Sequence, residues 1–503
     1  MAGWLDSAEH SLNPRRWQSL AAICTLVGLV WIISDGFIIA VPTIGRELGG
    51  SADQMAWAVN CFALAFCLAA LFGRIGDAIG DRKVLALGVL SLIAGAVVAG
   101  LSESVDQIIA GRALQGIGGT AILTSGLSVI TLQFPLNERP RALSIRSASA
   151  FVSSGLAVLI LALLLEAFGW RSMSWAAILV ALISLAFLVA TTPEAHERSS
   201  DSKLDLTGAI TLAAAFLVLN YALIESDEVA LSVLALLVCG SSILLALFIF
   251  VESRSSDPLI PLSVWQRPTF AGSIVVCFVF GLIINGVLYL MALYLQTAKG
   301  LSSVDAAAVL LGATVALVVL NPFGERLVGR GRFLFPVVLG MLLLAIACVT
   351  ILIGVEVDST PIIFGGLVLI GAGVGIQVTS ISTLQVSSAG ASKGTASGVV
   401  VITFGVSTAM GVAVATALTE NFAIHSLQGA TGSNHLEGIS HQDLLDILSG
   451  GMPLSSVSAA GQKVVLAAFD SGLVGASVVF AAMASVGAVL ALVMLRNIAL
   501  DDD

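Results

Sequence analysis

Fourteen predominantly apolar stretches, each roughly twenty residues long, follow one another along this chain, and no soluble fold accommodates that pattern. A bilayer's hydrocarbon core, about 30 Å thick, takes about 20 helical residues to cross. Runs of that length begin near Leu20, Met55, Val84, Ile108, Leu143, Met173, Leu206, Val229, Phe270, Ala306, Leu334, Ile362, Ala396 and Val464. Short connections rich in Gly, Pro, Asp and Arg separate them. A segment surrounded by lipid must satisfy its own backbone hydrogen bonds, so each run reads as a helix and the fold class as all-α integral membrane. Composition agrees, because 57% hydrophobic and 11% charged residues lie outside soluble usage. Met1–Trp17 is polar and the first run is too long for a signal peptide, so that run reads as a retained helix.

Lys and Arg set the orientation. With the N-terminus in the cytoplasm, seventeen basic residues fall in inner loops, Arg74, Arg82, Lys83, Arg146 and Arg326 among them. Only Arg46, Arg171, Lys299 and Lys463 fall outside, and Arg112 is left within a span. An even helix count then predicts that both termini are cytoplasmic, as in a bacterial inner membrane. The net charge of −10 follows the same sorting, with sixteen acids outside and fifteen inside. Neither face is basic enough for nucleic acid. Two polar segments stand apart: an inner linker at Pro193–Asp205 and one long outer loop at Glu420–Lys463. In the loop, His425, His435 and His441 lack metal-site spacing, and His441–Leu448 suits a short amphipathic turn against the outer face. The six cysteines all sit in apolar runs and read as small buried hydrophobes. No nucleophile–base pair lies in the spans, so the chain reads as a non-enzyme that needs no cofactor and no metal.

Two ionisable residues do lie in the spans. Asp35 stands six residues before Val41 and Arg112 six residues after Asp106. Each is therefore about 9 Å deep from the same side. A charge at the midplane costs about 2.5–3.5 kcal/mol or more, so both are expected to face the interior, and their opposite signs suit a pair.

Glycine-rich motifs add mechanism. The loop after helix two reads Gly73-Arg-Ile-Gly-Asp77-Ala-Ile-Gly80-Asp81-Arg82-Lys83, a tight turn with an acid available to a helix N-terminus or an arginine. A related stretch, Asn321-Pro-Phe-Gly324-Glu-Arg326-Leu-Val-Gly329-Arg330-Gly-Arg332, follows helix ten. Gln115-Gly116-Ile-Gly118-Gly119 in helix four is echoed by Gly371-Ala-Gly373-Val-Gly375 in helix twelve. Weak internal similarity of this kind points to two related halves around a midplane site. Asn60, Gln115, Asn285, Tyr289 and Gln377 are the polar residues that suit such a cavity.

From Arg16-Trp17 to Arg496 the chain resembles the fourteen-helix drug:proton antiporter branch of the major facilitator superfamily. The likeness includes the loop after helix two and Ile109-Ala-Gly-Arg112-Ala-Leu-Gln115-Gly116-Ile-Gly-Gly119. It extends through Gly169-Trp170-Arg171, Asp205-Leu-Thr-Gly208, Gln296 with Gly300-Leu-Ser302, and Gly394-Thr-Ala-Ser-Gly398. The resemblance implies a six-helix bundle at 1–192, two extra central helices at 193–255 and a second six-helix bundle at 256–503. It implies alternating access to a site between the bundles. Gly73, Asp77, Gly80, Arg82 and Lys83 would form a cytoplasmic gate, and Arg112 with Asp35 the proton-coupling pair. The implied partners are a small-molecule substrate, protons and the lipid bilayer, acting on a monomer. Three departures stand out: Asp35 is seven residues before Pro42 where the family has nine, Ala78 and Asp81 replace latch arginines, and Ala157–Ala162 replaces the helix-five Gly-Pro-x-x-Gly-Gly. Proton-coupled export of small amphipathic compounds, such as cationic drugs or a secondary metabolite, is the first reading. Uptake or uniport of another solute is the alternative within transport, and a non-transporting sensor or scaffold the alternative outside it.

Overall fold

The computed structural model describes residues 14–496, apart from 136–137, 194–205, 226–228, 256–264, 389–392, 431–446, 449–451 and 453. Among the described residues all regular structure is helical. The helices are α1 Arg16–Leu48, α3 Asp81–Gly100, α4 Val105–Gln133, α5 Arg139–Phe168, α6 Arg171–Thr191, α7 Leu206–Ile224 and α8 Leu231–Arg254. They continue as α9 Pro268–Thr297, α10 Ser303–Val328, α11 Leu334–Glu356, α12 Thr360–Ser387, α13 Lys393–Ala430 and α14 Ala459–Met494. These thirteen are long and apolar enough to cross a membrane. The second apolar run forms α2, made of Ala52–Leu64, a 3₁₀ segment Ala65–Leu68, and Ala69–Ile79. Among the described residues its apolar part is Asp53–Leu68, and the charged loop motif that follows is helical as far as Ile79.

Several boundaries differ from the sequence reading. Helix α5 begins at Arg139, a turn before Leu143, because Pro140 in its first turn suits a helix start. Helix α13 runs on to Ala430, and α14 starts at Ala459. Both ends of the long loop at Glu420–Lys463 are therefore helical, with Ala423 packed in the core. Ile447 and Leu448 are also buried there, while His435, His441 and most of the Pro193–Asp205 linker lie outside the described residues. Tighter winding at the 3₁₀ segment Phe37–Ala40 in α1 changes the phase between Asp35 and Pro42.

The helix pairings repeat. In the first set α1 packs on α5 and α6, α2 on α4, and α3 on α4 and α6. In the second set α9 packs on α13 and α14, α10 on α12, and α11 on α12 and α14. Each pairing recurs eight helices later, and the glycine motifs do the same work in both sets. A Cβ on Gly116 would strike the Phe62 backbone of α2, and one on Gly118 the Gly88 carbonyl of α3. Correspondingly, Gly371 lies against Ala313 of α10, and Gly373 against Gly340 of α11. Close backbone approach through small residues is how membrane helices gain packing without a hydrophobic drive. The α2–α3 and α10–α11 turns both end on a left-handed glycine, Gly80 at φ 97° and Gly331 at φ 72°.

Two seams join the sets, α5 with α10 and α2 with α13. Helix α7 leans on α2 and α13 together, and α8 has α7 as its main neighbour. Only 11% of the apolar stretch of α8 is buried, so Leu236, Ile243, Ile249 and Phe250 form a lipid-facing side. Polar ties fix the helix ends. Arg16 pairs with Glu138 at 2.9 Å and holds its carboxyl below the usual range, while Glu47 accepts from Trp170 Nε1 at 2.8 Å and pairs with Arg171.

Candidate functional site

A cavity of about 390 Å³ lies between the two sets, in the range that holds drug-sized ligands. The first set contributes α1, α2, α4 and α5 to its wall, and the second α9, α10, α12 and α13. Most of the lining is apolar. Trp31 meets Phe66 of its own set and Phe404 of the other edge-to-face, with centroids 6.2 and 5.3 Å apart. Among the described residues two charges interrupt this surface, Asp35 on α1 and Arg146 on α5.

Asp35 is half-buried, and its carboxylate accepts a short hydrogen bond from the Ser154 hydroxyl of α5. The neighbouring close approach comes from α1, where a Cβ on Gly36 would stand 2.7 Å from the Ala157 carbonyl. Thus the bulky Ala157–Ala162 run still allows tight α1–α5 packing, with the glycine on the opposite helix.

Arg112 is 1% exposed and makes no ion pair with Asp35. Its Nε donates to the Ala58 carbonyl at 3.1 Å, and Nη1 to the Ile33 carbonyl at 3.1 Å and to Gln115 Oε1 at 3.2 Å. The guanidinium sits 4.2 Å from the centre of the Phe37 ring and 4.5 Å from that of Phe62. One buried cation therefore knots α1, α2 and α4 together, and cation–π contacts of this kind strengthen when desolvated. Instead of a direct pair, the structure places Asp35 on the cavity wall and Arg112 behind it.

The five polar candidates divide. Asn285 lines the cavity, with its amide on the Gly281 carbonyl at 2.8 Å. Asn60 donates to Asn220 of α7 at 3.1 Å, and Trp57 packs on Tyr221 beside it. Gln115 serves Arg112, Tyr289 is buried, and Gln377 is packed against Gly340 of α11. Of the residues expected to form a gate, Gly73 faces Thr124, Gly80 makes the turn and Lys83 is exposed. Arg82 donates to the Val189 carbonyl at 3.0 Å, and Asp81 accepts from Ser128 of α4. The Asp77 side chain lies outside the described residues. The segment Ala69–Ile79 that carries Asp77 packs on α13, so the gate motif stands at a seam.

Sequence reasoning missed Ser154 and Arg146. Arg146 is counted with the inner-loop bases in the sequence although it follows Leu143, and Pro140 is the signal that puts it inside the helix. At the other end of α5, Glu166 accepts the Val304 N–H at 2.9 Å and so joins the two sets across the first turn of α10. Among the described residues no cluster of His, Cys, Asp or Glu could hold a metal ion, and all six cysteines are free.

The family model described as Major Facilitator Superfamily matches residues 20–412. The chain is 28% identical over 408 residues to the multidrug resistance protein Stp of Mycobacterium tuberculosis, covering 79% of this chain and 75% of that one. It is 30% identical over 351 residues to a tetracenomycin C resistance and export protein of Streptomyces glaucescens, covering 68% and 64%. A crystal structure of a bacterial homologue of the human lysosomal transporter Spinster, inward-facing and occupied, superposes with a TM-score of 0.68 at 17% identity, covering 97% of this chain and 98% of that one.

Proposed function

This chain belongs to the Major Facilitator Superfamily, a family of membrane transporters, and from that premise we propose that it exports small amphipathic compounds in exchange for protons. The observation that carries the reading is the cavity itself. Both sets of helices build it, its wall is mostly apolar, and a half-buried carboxylate stands in that wall. A carboxylate so placed exchanges its proton when a conformational change alters its solvation. Relatives named for multidrug resistance and for tetracenomycin C resistance and export support the direction of transport. In this reading 1–192 and 256–503 are two bundles of one monomer that rock about the cavity, with 193–255 as a central insert. The membrane is the bacterial inner membrane, both termini are cytoplasmic, and the Glu166 end faces out.

The test is flux in proteoliposomes of the purified protein. Accumulation of an amphipathic dye, fluorescein or rhodamine 6G, against its gradient, driven by an imposed pH difference, is the expected result. Dye movement that ignores the pH difference would leave a uniporter.

Glu166 gives a second test. Its carboxylate holds the outer seam shut by capping α10, so Glu166→Ala, which removes the acceptor, is expected to shift the population toward an outward-open state. A cysteine introduced at the cavity residue Val158, in a chain with its native cysteines replaced, would then react severalfold faster with an impermeant thiol reagent added outside. An unchanged rate would make the contact incidental to closure.

A further inference from the structure

Building on the export reading, we propose that the cargo is an amphipathic organic anion, whose acidic group is held by Arg146. Arg146 lines the cavity on α5. Its Nη2 donates to the Leu123 carbonyl of α4 at 2.8 Å, which fixes the head group against the wall. Nε is buried and has no hydrogen-bond partner, and no carboxylate among the described residues pairs with the side chain. Among the described residues the wall contains one acid, Asp35, which is engaged by Ser154. Ser154 lies eight residues along α5 from Arg146, about 12 Å at 1.5 Å per residue. The base is therefore well separated from the acid.

A guanidinium without a counter-charge in an apolar wall is costly, and an incoming anion removes that cost. Arginine is also the side chain best shaped for a carboxylate, because its fork makes two parallel charge-assisted bonds. Of its five N–H donors, one on Nη2 is taken up by the protein's own backbone, and the buried Nε has no partner within the protein. Trp31, Phe66 and Phe404 supply an aromatic surface for the rest of the molecule. A permanently cationic compound would gain the same apolar contacts and be repelled at Arg146. The position therefore selects by charge, favouring an aromatic or aliphatic body that carries one carboxylate, phenolate or sulfonate.

Fluorescein and rhodamine 6G test this, since they share a xanthene ring and differ in the sign of charge. Binding is measured by fluorescence anisotropy with the purified full-length chain in phosphatidylcholine nanodiscs. The wild type is expected to bind fluorescein saturably and about tenfold more tightly than rhodamine 6G. Arg146→Gln should weaken fluorescein binding about tenfold or more and leave rhodamine 6G unchanged or tighter, while Arg146→Lys, which keeps the charge without the fork, should weaken fluorescein binding less than Gln does. Equal weakening of both dyes would mean that Arg146 only braces α4, and would overturn the proposal. So would a wild type that prefers rhodamine 6G, a result that needs no variant to fold. The export reading is judged separately, because fluorescein bound at Arg146 without any pH-driven flux of either dye would defeat export and leave the anion site standing.

Discussion

Asp35→Asn is expected to abolish pH-driven flux while leaving downhill exchange of the same cargo nearly intact. The side chain stands in the cavity wall, where each conformational state would offer it different access to water. Asparagine is nearly isosteric, and its carbonyl oxygen can still accept the Ser154 hydroxyl, so the α1–α5 contact survives. What disappears is the ability to carry a proton. Flux under an imposed pH difference should fall at least about tenfold, whereas exchange at uniform pH should change by less than about threefold, a split that reads the coupling step alone. Undiminished pH-driven flux would move coupling to another acid. Glu166 is poorly suited, since its carboxylate already caps α10.

Arg112→Ala should have the largest effect on stability. Pairing with Asp35 would make the loss one of a stranded carboxylate, but Asp35 has Ser154 instead. The damage comes from the junction. Truncation removes three hydrogen bonds and two ring contacts from a site that is 1% exposed, and leaves a void among α1, α2 and α4. Large-to-small changes at such sites cost about 3–5 kcal/mol. Arg112→Lys should recover little of this, because an ammonium cannot reach the Ala58 and Ile33 carbonyls and Gln115 in the same planar fork. Thermal unfolding in detergent decides the matter, and a melting temperature equal to the wild type would dismiss the junction.

The apolar runs and the positions of Asp35 and Arg112 inside spans were legible in the sequence because both depend on local composition. So was the echo between Gly116-Ile-Gly118 and Gly371-Ala-Gly373, since a glycine at a close approach leaves a mark at its own position. The site was less legible because its contacts are between distant residues. Asn60 suits a cavity in isolation, yet its partner is Asn220, 160 positions away. Arg146 reads as an inner-loop base because counting Lys and Arg by side favours the loop, although it lies three residues past Leu143 and two turns inside a helix that starts at Arg139. Asp35 and Arg112 have matching depth and opposite sign, but depth carries no information about azimuth around the helix.

The two seams have a thermodynamic consequence. Since α5 with α10 and α2 with α13 are counterparts under the same eight-helix repeat, their contacts are alike in kind, and both seams are formed in this structure. Each then carries a comparable share of the free energy that holds the two sets together. A ligand that prefers one state by about 1.4 kcal/mol moves such an equilibrium tenfold. Duplication of an ancestral unit would thus divide closure between two matched contacts, so that a single proton or cargo molecule acting at one of them has only part of the whole to overcome.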